Sequence, residues 1–79
     1  MVAFGEKKKG GVMRTNLRVR RRQRHVRTKD MAERLGITPA AYTHWENGLR
    51  EPSIAMWKKI QGILEVPDEE MWSLMQEDD

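Results

Sequence analysis

The chain has 79 residues, of which 15 are Lys or Arg and 12 are Asp or Glu, so its formal net charge is +3 at pH 7. A chain of this length forms one domain with a small core, because it buries only about 60–65% of the surface that its unfolded form exposes. The lack of cysteine excludes disulfides and thiolate metal sites, no apolar run approaches the roughly 18 residues of a membrane span, and without an evident secretory signal we expect a cytoplasmic protein.

The charge is divided unevenly along the chain. Residues 1–30 hold eleven Lys or Arg against two acids, a balance of +9, whereas residues 31–79 hold four against ten, a balance of −6, and the two add up to the net +3. A basic half beside an acidic half gives a small domain a dipole that suits docking on a polyanion. Charge runs are more often solvated faces, so this asymmetry gains weight only beside a nucleic-acid-binding motif.

The chain is predicted to consist of a flexible basic tail at residues 1–12 and one domain at residues 13–79. The tail has three consecutive lysines and no apolar period, so it buries too little surface to repay ordering. We expect helix 1 from about Met13 or Asn16 to Gln23, with Asn16 or Thr15 as its cap and Leu17 in the core. Most of its many arginines are expected to project to solvent or phosphate.

Residues 28–49 indicate two short amphipathic helices joined by a tight turn, and the helix-turn-helix proper spans about 28–48. Three apolar residues share the inner face of helix 2: Met31, Ala32 and Leu35. Gly36 supplies the left-handed conformation that ends this helix, and Thr38 followed by Pro39 predicts the N-cap and first turn of helix 3. A turn this short makes the two helices cross steeply.

Helix 3 divides into two faces. Together with Ile37 from the turn, the inward residues are expected to be Ala41, Tyr42, Trp45 and Leu49. The opposite face carries Ala40, Thr43, His44 and Asn47. Solvated helices usually carry long Lys and Glu side chains outside, so this small polar face favours close approach to a groove.

Ser53 predicts the N-cap of helix 4, which continues to Leu64. The inner face of helix 4 is predicted to contain Ile54, Trp57, Ile60 and Leu64, widened by Met56 and Ile63. Pro67 and the acids after it end helix 4 and start a short helix 5. The apolar residues of helix 5 either close the core or form a partner surface: Met71, Trp72, Leu74 and Met75.

The run DMAERLGITPAAYTHWENGLREPS resembles the helix-turn-helix of the Xre/Cro type found in phage repressors and bacterial regulators. The matching elements are Met31-Ala32, Leu35-Gly36-Ile37-Thr38, Trp45-Glu46-Asn47-Gly48 and Pro52-Ser53. The resemblance covers most of residues 16–66. It implies an all-α fold, a compact five-helix lambda-repressor-like DNA-binding domain behind a disordered basic N-terminal tail.

The same resemblance implies double-stranded DNA as the partner, with a recognition helix at about 39–47 in the major groove. Base contacts map onto Pro39, Ala40, Thr43 and His44. Phosphate contacts map onto Arg27, Thr28, Lys29, Asn47 and Arg50. Arg21 stands where the family carries an arginine that pairs with the glutamate of the Trp-Glu element, here Glu46.

Three departures from the family pattern affect the predicted readout. The family usually has glutamine at Thr28 and long polar residues at Pro39 and Ala40, so bidentate base readout is missing here. The basic N-terminal segment offers a compensating route through groove shape. His25 replaces a common glycine and would adopt the left-handed conformation at some cost.

These features favour a small transcriptional regulator such as a repressor, of phage or mobile-element origin, that forms a weak homodimer through its C-terminal segment. The alternative is a protein-interaction or antitoxin-like module with a protein partner on the acidic half and DNA binding secondary. An exposed helix 3 face flanked by cations would favour DNA. His25 and His44 lack a third ligand, so no metal is expected, and the absence of a nucleophile–base arrangement or phosphate-cradling glycine loop excludes an enzyme and a cofactor.

Overall fold

A computed structural model describes residues 13–78 of the chain. This range contains five helices and no strand: α1 (Thr15–Gln23), α2 (Thr28–Leu35), α3 (Pro39–Glu46), α4 (Ile54–Leu64) and α5 (Met71–Met75), the last preceded by a 3₁₀ turn at Asp68–Glu70. The predicted all-α, five-helix class is therefore confirmed. The predicted tail at 1–12 lies outside the described residues.

The first four helices all end with the same backbone conformation and the same hydrogen bond. The first residue after α2 and α4, and the second residue after α1 and α3, has a left-handed backbone conformation. In chain order these residues are His25 (φ 57°), Gly36 (φ 74°), Gly48 (φ 76°) and Glu65 (φ 56°). The next N–H donates to the carbonyl five residues earlier: Val26 to Arg21, Ile37 to Ala32, Leu49 to His44 and Val66 to Gln61. This hydrogen bond is the signature of the Schellman motif. The predicted role of Gly36 is confirmed, and His25 adopts the expected conformation.

The N-caps of α3 and α4 are the ones predicted from the sequence, and the N-cap of α1 is not. Thr38 Oγ1 accepts the Ala41 N–H at 3.1 Å, and Ser53 caps α4 in the same way. The expected cap of α1 by Asn16 or Thr15 is wrong, because the helix already includes Thr15 and its N-cap residue makes no side-chain cap. A distant carboxylate, that of Asp78, accepts the Thr15 N–H at 3.3 Å instead.

The core collects apolar residues from all five helices and from the connections after α1 and α4: Leu17, Val26, Met31, Ala32, Leu35, Tyr42, Trp57, Ile60, Leu64, Val66 and Leu74. Ile37, Trp45, Met56, Ile63 and Met71 are partly buried against it. Two inward assignments are wrong, since Leu49 is 48% and Ile54 71% exposed. Leu49 follows Gly48, where the chain has left the helical period, and Ile54 opens α4, where side chains lean past the helix end.

The C-terminal helix fulfils one of its two predicted alternatives, closure of the core. Leu74 is buried and closes the core, whereas Trp72 remains 66% exposed. The helix packs on α1, where the side-chain amide of Asn16 donates to Ser73 O at 3.2 Å and Arg20 pairs with Glu70. It therefore completes the fold and leaves one aromatic side chain to solvent.

Candidate nucleic-acid interface

The outer face of α3 is open to solvent. Pro39 and Ala40 are exposed, and Thr43, His44 and Asn47 are partly exposed, whereas Tyr42 on the opposite side is fully buried. Asn47 lies eight positions after Pro39, so this face extends about 12 Å along the helix axis. That length is close to the width of the major groove of DNA, about 12 Å.

A buried hydrogen-bond network fixes α3 against α1. Arg21 Nε lies 2.6 Å from Glu46 Oε2, and the Tyr42 hydroxyl donates to the same oxygen at 2.6 Å. The pair that the family resemblance implied therefore forms in the structure. Burial, together with the charge of Glu46, raises the pKa of the Tyr42 phenol far above its ordinary value, so the hydroxyl remains a donor. Breaking such a pair on one side costs about 3–5 kcal/mol, because the other charge stays buried.

The same guanidinium brings together the two backbone segments expected to contact phosphate. Arg21 Nη1 donates to Val26 O at 2.9 Å, immediately before Arg27 and the start of α2. Its other contacts are to Glu46, immediately before Asn47 and the loop after α3. The start of α2 and the end of α3 are thus held at opposite sides of one side chain.

The start of α2 offers both charge and backbone donors. The Arg27 side chain is exposed, although its Nε lies 3.3 Å from Asp30 Oδ2, and Lys29 is exposed. Within residues 13–78, the N–H groups of Thr28, Lys29 and Asp30 donate to no acceptor. Free amides and the helix dipole make this helix start favourable for an anion.

The arginines of α1 are more engaged than the sequence indicated. The expectation that most of them project to solvent or phosphate is corrected for two, since Arg20 pairs with Glu70 and Arg21 with Glu46. Arg24, the residue after α1, pairs with Glu65. Among the described residues, the five ion pairs leave seven cations without an acidic partner: Arg18, Arg22, Lys29, Arg34, Arg50, Lys58 and Lys59. Two of these seven, Lys29 and Arg50, belong to the predicted phosphate contacts, whereas Arg27 of that set is paired with Asp30.

Sequence reasoning missed Arg14, which is buried and donates to the carbonyls of Trp45 and Arg50. A signal was present, because Arg14 lies three residues before Leu17 and seven before Arg21 and so shares the inner face of α1. Within residues 13–78 no group of three potential metal-binding side chains occurs, and none of the helices described is long and apolar enough to cross a membrane.

Comparison with known proteins identifies the family. A helix-turn-helix family model matches residues 17–71, from α1 into α5. The uncharacterised HTH-type transcriptional regulator YqaE of Bacillus subtilis (strain 168) is 43% identical over 51 residues, which are 65% of this chain and 44% of that protein. The chain thus spans less than half the length of this curated relative, and no solved structure matches it. Given the family match, the turn geometry and the open face of α3, the chain belongs to the Xre/Cro-type helix-turn-helix family.

Proposed function

We propose that this protein acts in the cytoplasm as a sequence-specific regulator that places α3 in the major groove of double-stranded DNA and works by binding alone, without catalysis or a cofactor. The observation that carries this proposal is the open, small-residue face of α3 between two cation-bearing segments. Ala40 and the methyl group of Thr43 suit contact with thymine methyls, and His44 suits a hydrogen bond to a base edge. Pro39 fits the same approach because it adds little bulk.

Phosphate contacts would fix the register of α3. We assign them to Arg27, Thr28 and Lys29 at the start of α2 and to Asn47 and Arg50 after α3, because both segments present donors beside the same helix. The small polar face of α3, flanked by cations at the start of α2 and after α3, supports DNA binding over the alternative of a protein-interaction or antitoxin-like module, which does not require cations beside that face.

Binding-site selection from random duplexes tests the readout. His44→Ala should keep the melting temperature nearly unchanged and lose preference at one base position, by about 1–3 kcal/mol. His25→Asn is the matched control, since it replaces the other histidine with a residue that tolerates the left-handed conformation. A motif that is identical for the unchanged chain and His44→Ala would contradict the assignment of His44.

We further propose a weak symmetric homodimer on DNA. One recognition helix with Pro39 and Ala40 in its first turn reads few bases, so discrimination needs two half-sites about 34 Å apart. The supporting surface is the exposed Trp72 of α5, with Val19 exposed on the packed neighbour α1. Aromatic side chains of this kind commonly anchor interfaces.

Sedimentation with a palindromic duplex tests the dimer. Trp72→Glu should give one protomer per duplex at concentrations where the unchanged chain gives two. Gln76→Glu adds the same charge at an exposed position of the same region and should not change the stoichiometry. A one-to-one complex of the unchanged chain would refute the dimer, and a two-to-one complex of Trp72→Glu would remove α5 from its interface.

A further inference from the structure

Arg14 has the most buried charged side chain among residues 13–78, with 1% of its surface exposed. It lies outside the family match, which begins at Leu17. A buried guanidinium requires satisfied donors, because an unpaired charge away from water is costly. The partners of Arg14 therefore indicate which parts of the chain depend on it.

One edge of Arg14 holds the loop after α3. Nη1 donates to Trp45 O at 2.7 Å and to Arg50 O at 3.2 Å, and the backbone N–H of Arg14 donates to Glu46 O at 2.7 Å. Carbonyls at a helix end lack intrahelical partners and attract a cation. Arg14 thus fastens both ends of the loop at residues 46–50.

The other edge is held by the C-terminal segment, defined here as residues 75–78. Arg14 Nε donates to Met75 O at 3.2 Å, and Nη2 lies 3.2 Å from Glu77 Oε2. Asp78 extends this contact through its bond with the Thr15 N–H. The family match ends at residue 71, so the C-terminal segment lies beyond the matched helices.

The shape of the guanidinium couples the two edges. It is a rigid planar fork, so its N–H groups keep fixed directions relative to one another. The Trp57 ring supports one face, with its centroid 5.7 Å from Arg14 Cζ. Fastening one edge to the C-terminal segment therefore restricts where the opposite edge can hold its carbonyl partners.

We propose that Arg14 is a positioning residue for DNA binding: the C-terminal segment holds its guanidinium, and the guanidinium holds the loop that presents Asn47 and Arg50 to phosphate. This inference rests on the proposed function and extends it to residues outside the helix-turn-helix. For the removal of an acid, it predicts a change in DNA affinity opposite to the one expected from charge alone. Removing an acid normally raises affinity for a polyanion, whereas removing Glu77 lowers it here because the loop is released.

The sign is tested with Glu77→Ala against Glu69→Ala, since both variants remove one exposed acid from the C-terminal part of the chain. Affinity is measured at low salt for a mixed-sequence duplex of about 30 base pairs, because phosphate contacts do not depend on sequence. We expect Glu77→Ala to lower the affinity about 2- to 10-fold and Glu69→Ala to leave it unchanged or raise it. Equal affinities, or a rise with Glu77→Ala, would overturn the proposal.

A double-mutant cycle separates positioning from a purely structural role. Arg14→Met should lower the affinity about 10- to 30-fold in the unchanged chain and less than about 3-fold in an Arg50→Ala background, where part of the loop's contact is already gone. Additive losses would overturn the positioning role. Thermal melting checks that each variant is folded, and if Arg14→Met unfolds, the comparison of Glu77→Ala with Glu69→Ala decides.

Amide hydrogen exchange reports on the loop without DNA. The Leu49 N–H donates to His44 O at 2.9 Å and is the probe. We expect it to exchange faster in Glu77→Ala than in Glu69→Ala. If the unchanged chain binds no duplex, the proposed function fails, and the exchange rate still decides whether Arg14 holds the loop. Unchanged exchange would overturn the inference even where DNA binding is intact.

Discussion

At the scale of single residues, the carboxylate of Glu46 accepts the hydrogen bonds that hold α3 against α1. One of its oxygens accepts hydrogen bonds from both Arg21 and Tyr42. The phenol must stay protonated to donate, and burial together with the charge of Glu46 raises its pKa and so favours the protonated form. Helix orientation beneath the proposed DNA surface is therefore coupled to the protonation of one hydroxyl.

This coupling predicts loss of stability in alkali. The unfolded chain releases the Tyr42 proton near pH 10, while the folded chain retains it. The stabilisation is complete below that pH, and above it the free energy of unfolding falls by up to about 1.4 kcal/mol per pH unit. Tyr42→Phe should remove this part of the slope in denaturant titrations. Identical slopes for the two chains would contradict the prediction.

The absorbance of tyrosinate gives a second check, because the chain has one tyrosine. During an alkaline titration, the signal should appear together with the loss of helical circular dichroism. Tyrosinate that forms near pH 10 in a chain that is still helical would show that Tyr42 ionises without unfolding.

His25 predicts a gain in stability on substitution. Its φ of 57° lies in the left-handed region, which costs L-residues about 1–2 kcal/mol, whereas glycine carries only an entropic cost of about 0.5–1 kcal/mol. We expect His25→Gly to raise the free energy of unfolding by about 0.5–1 kcal/mol. Gln23→Gly, inside α1, is the control and should lower it. A loss with His25→Gly would mean that the imidazole stabilises the turn by contacts of its own.

At the scale of elements, the helix ends show what the sequence could announce. Gly36 could be predicted because glycine is the usual left-handed residue, and His25 could be placed only through the family resemblance. Glu65 carried no such signal. Its left-handed conformation follows from the Val66 N–H bonding to Gln61 O while the Val66 side chain is buried, which is a property of the packed molecule.

The two misassigned residues share a cause, because helical periodicity was extended past the residues that obey it. Most interior positions of α4 were predicted correctly, and Ile60 is fully buried. Ile54, at the first position of α4, has no preceding helical turn for its side chain to pack over. In the candidate site, the exposure of the outer face of α3 could be predicted from the helical period. The contacts of Arg14 could not, because they form only when the C-terminal segment folds back onto α1.

This correction predicts a contrast within α4. Ile54→Ala should change the free energy of unfolding by less than about 0.5 kcal/mol, whereas Ile60→Ala should lower it by about 2–5 kcal/mol because it leaves a cavity. Denaturant unfolding of both variants measures the difference. Comparable losses would place Ile54 in the core after all.

At the scale of the whole molecule, ion pairs rather than composition determine which cations remain available to bind phosphate. The count along the chain could not show that Arg20 and Arg24 are partnered by acids of the C-terminal half, because those pairs exist only in the folded arrangement. The dipole inferred from sequence is therefore partly cancelled at α1. Of the predicted phosphate-contacting cations, Arg27 is also paired, with Asp30, whereas Lys29 and Arg50 have no acidic partner among the described residues.

Affinity for duplex DNA should fall steeply with salt. Each neutralised phosphate releases about 0.9 counterion, so about four to six contacts give a slope of log K against log salt near −4 to −5. Arg50→Ala should make the slope less negative by about 1, and the ion-paired Arg24→Ala should leave it unchanged. A slope near zero for the unchanged chain would reject DNA binding itself.

The bond from the Asp78 N–H to Met13 O, 2.8 Å long, places the two ends of the described chain side by side. A peptide linker of a few residues would therefore span them without moving a helix. Closing residues 13–78 into a backbone ring would restrict the unfolded chain and raise the free energy of unfolding by about 4 kcal/mol. Arg14 lies next to this junction and also holds the loop after α3. The peptide bond that closes the ring would therefore also restrict the movement of that loop.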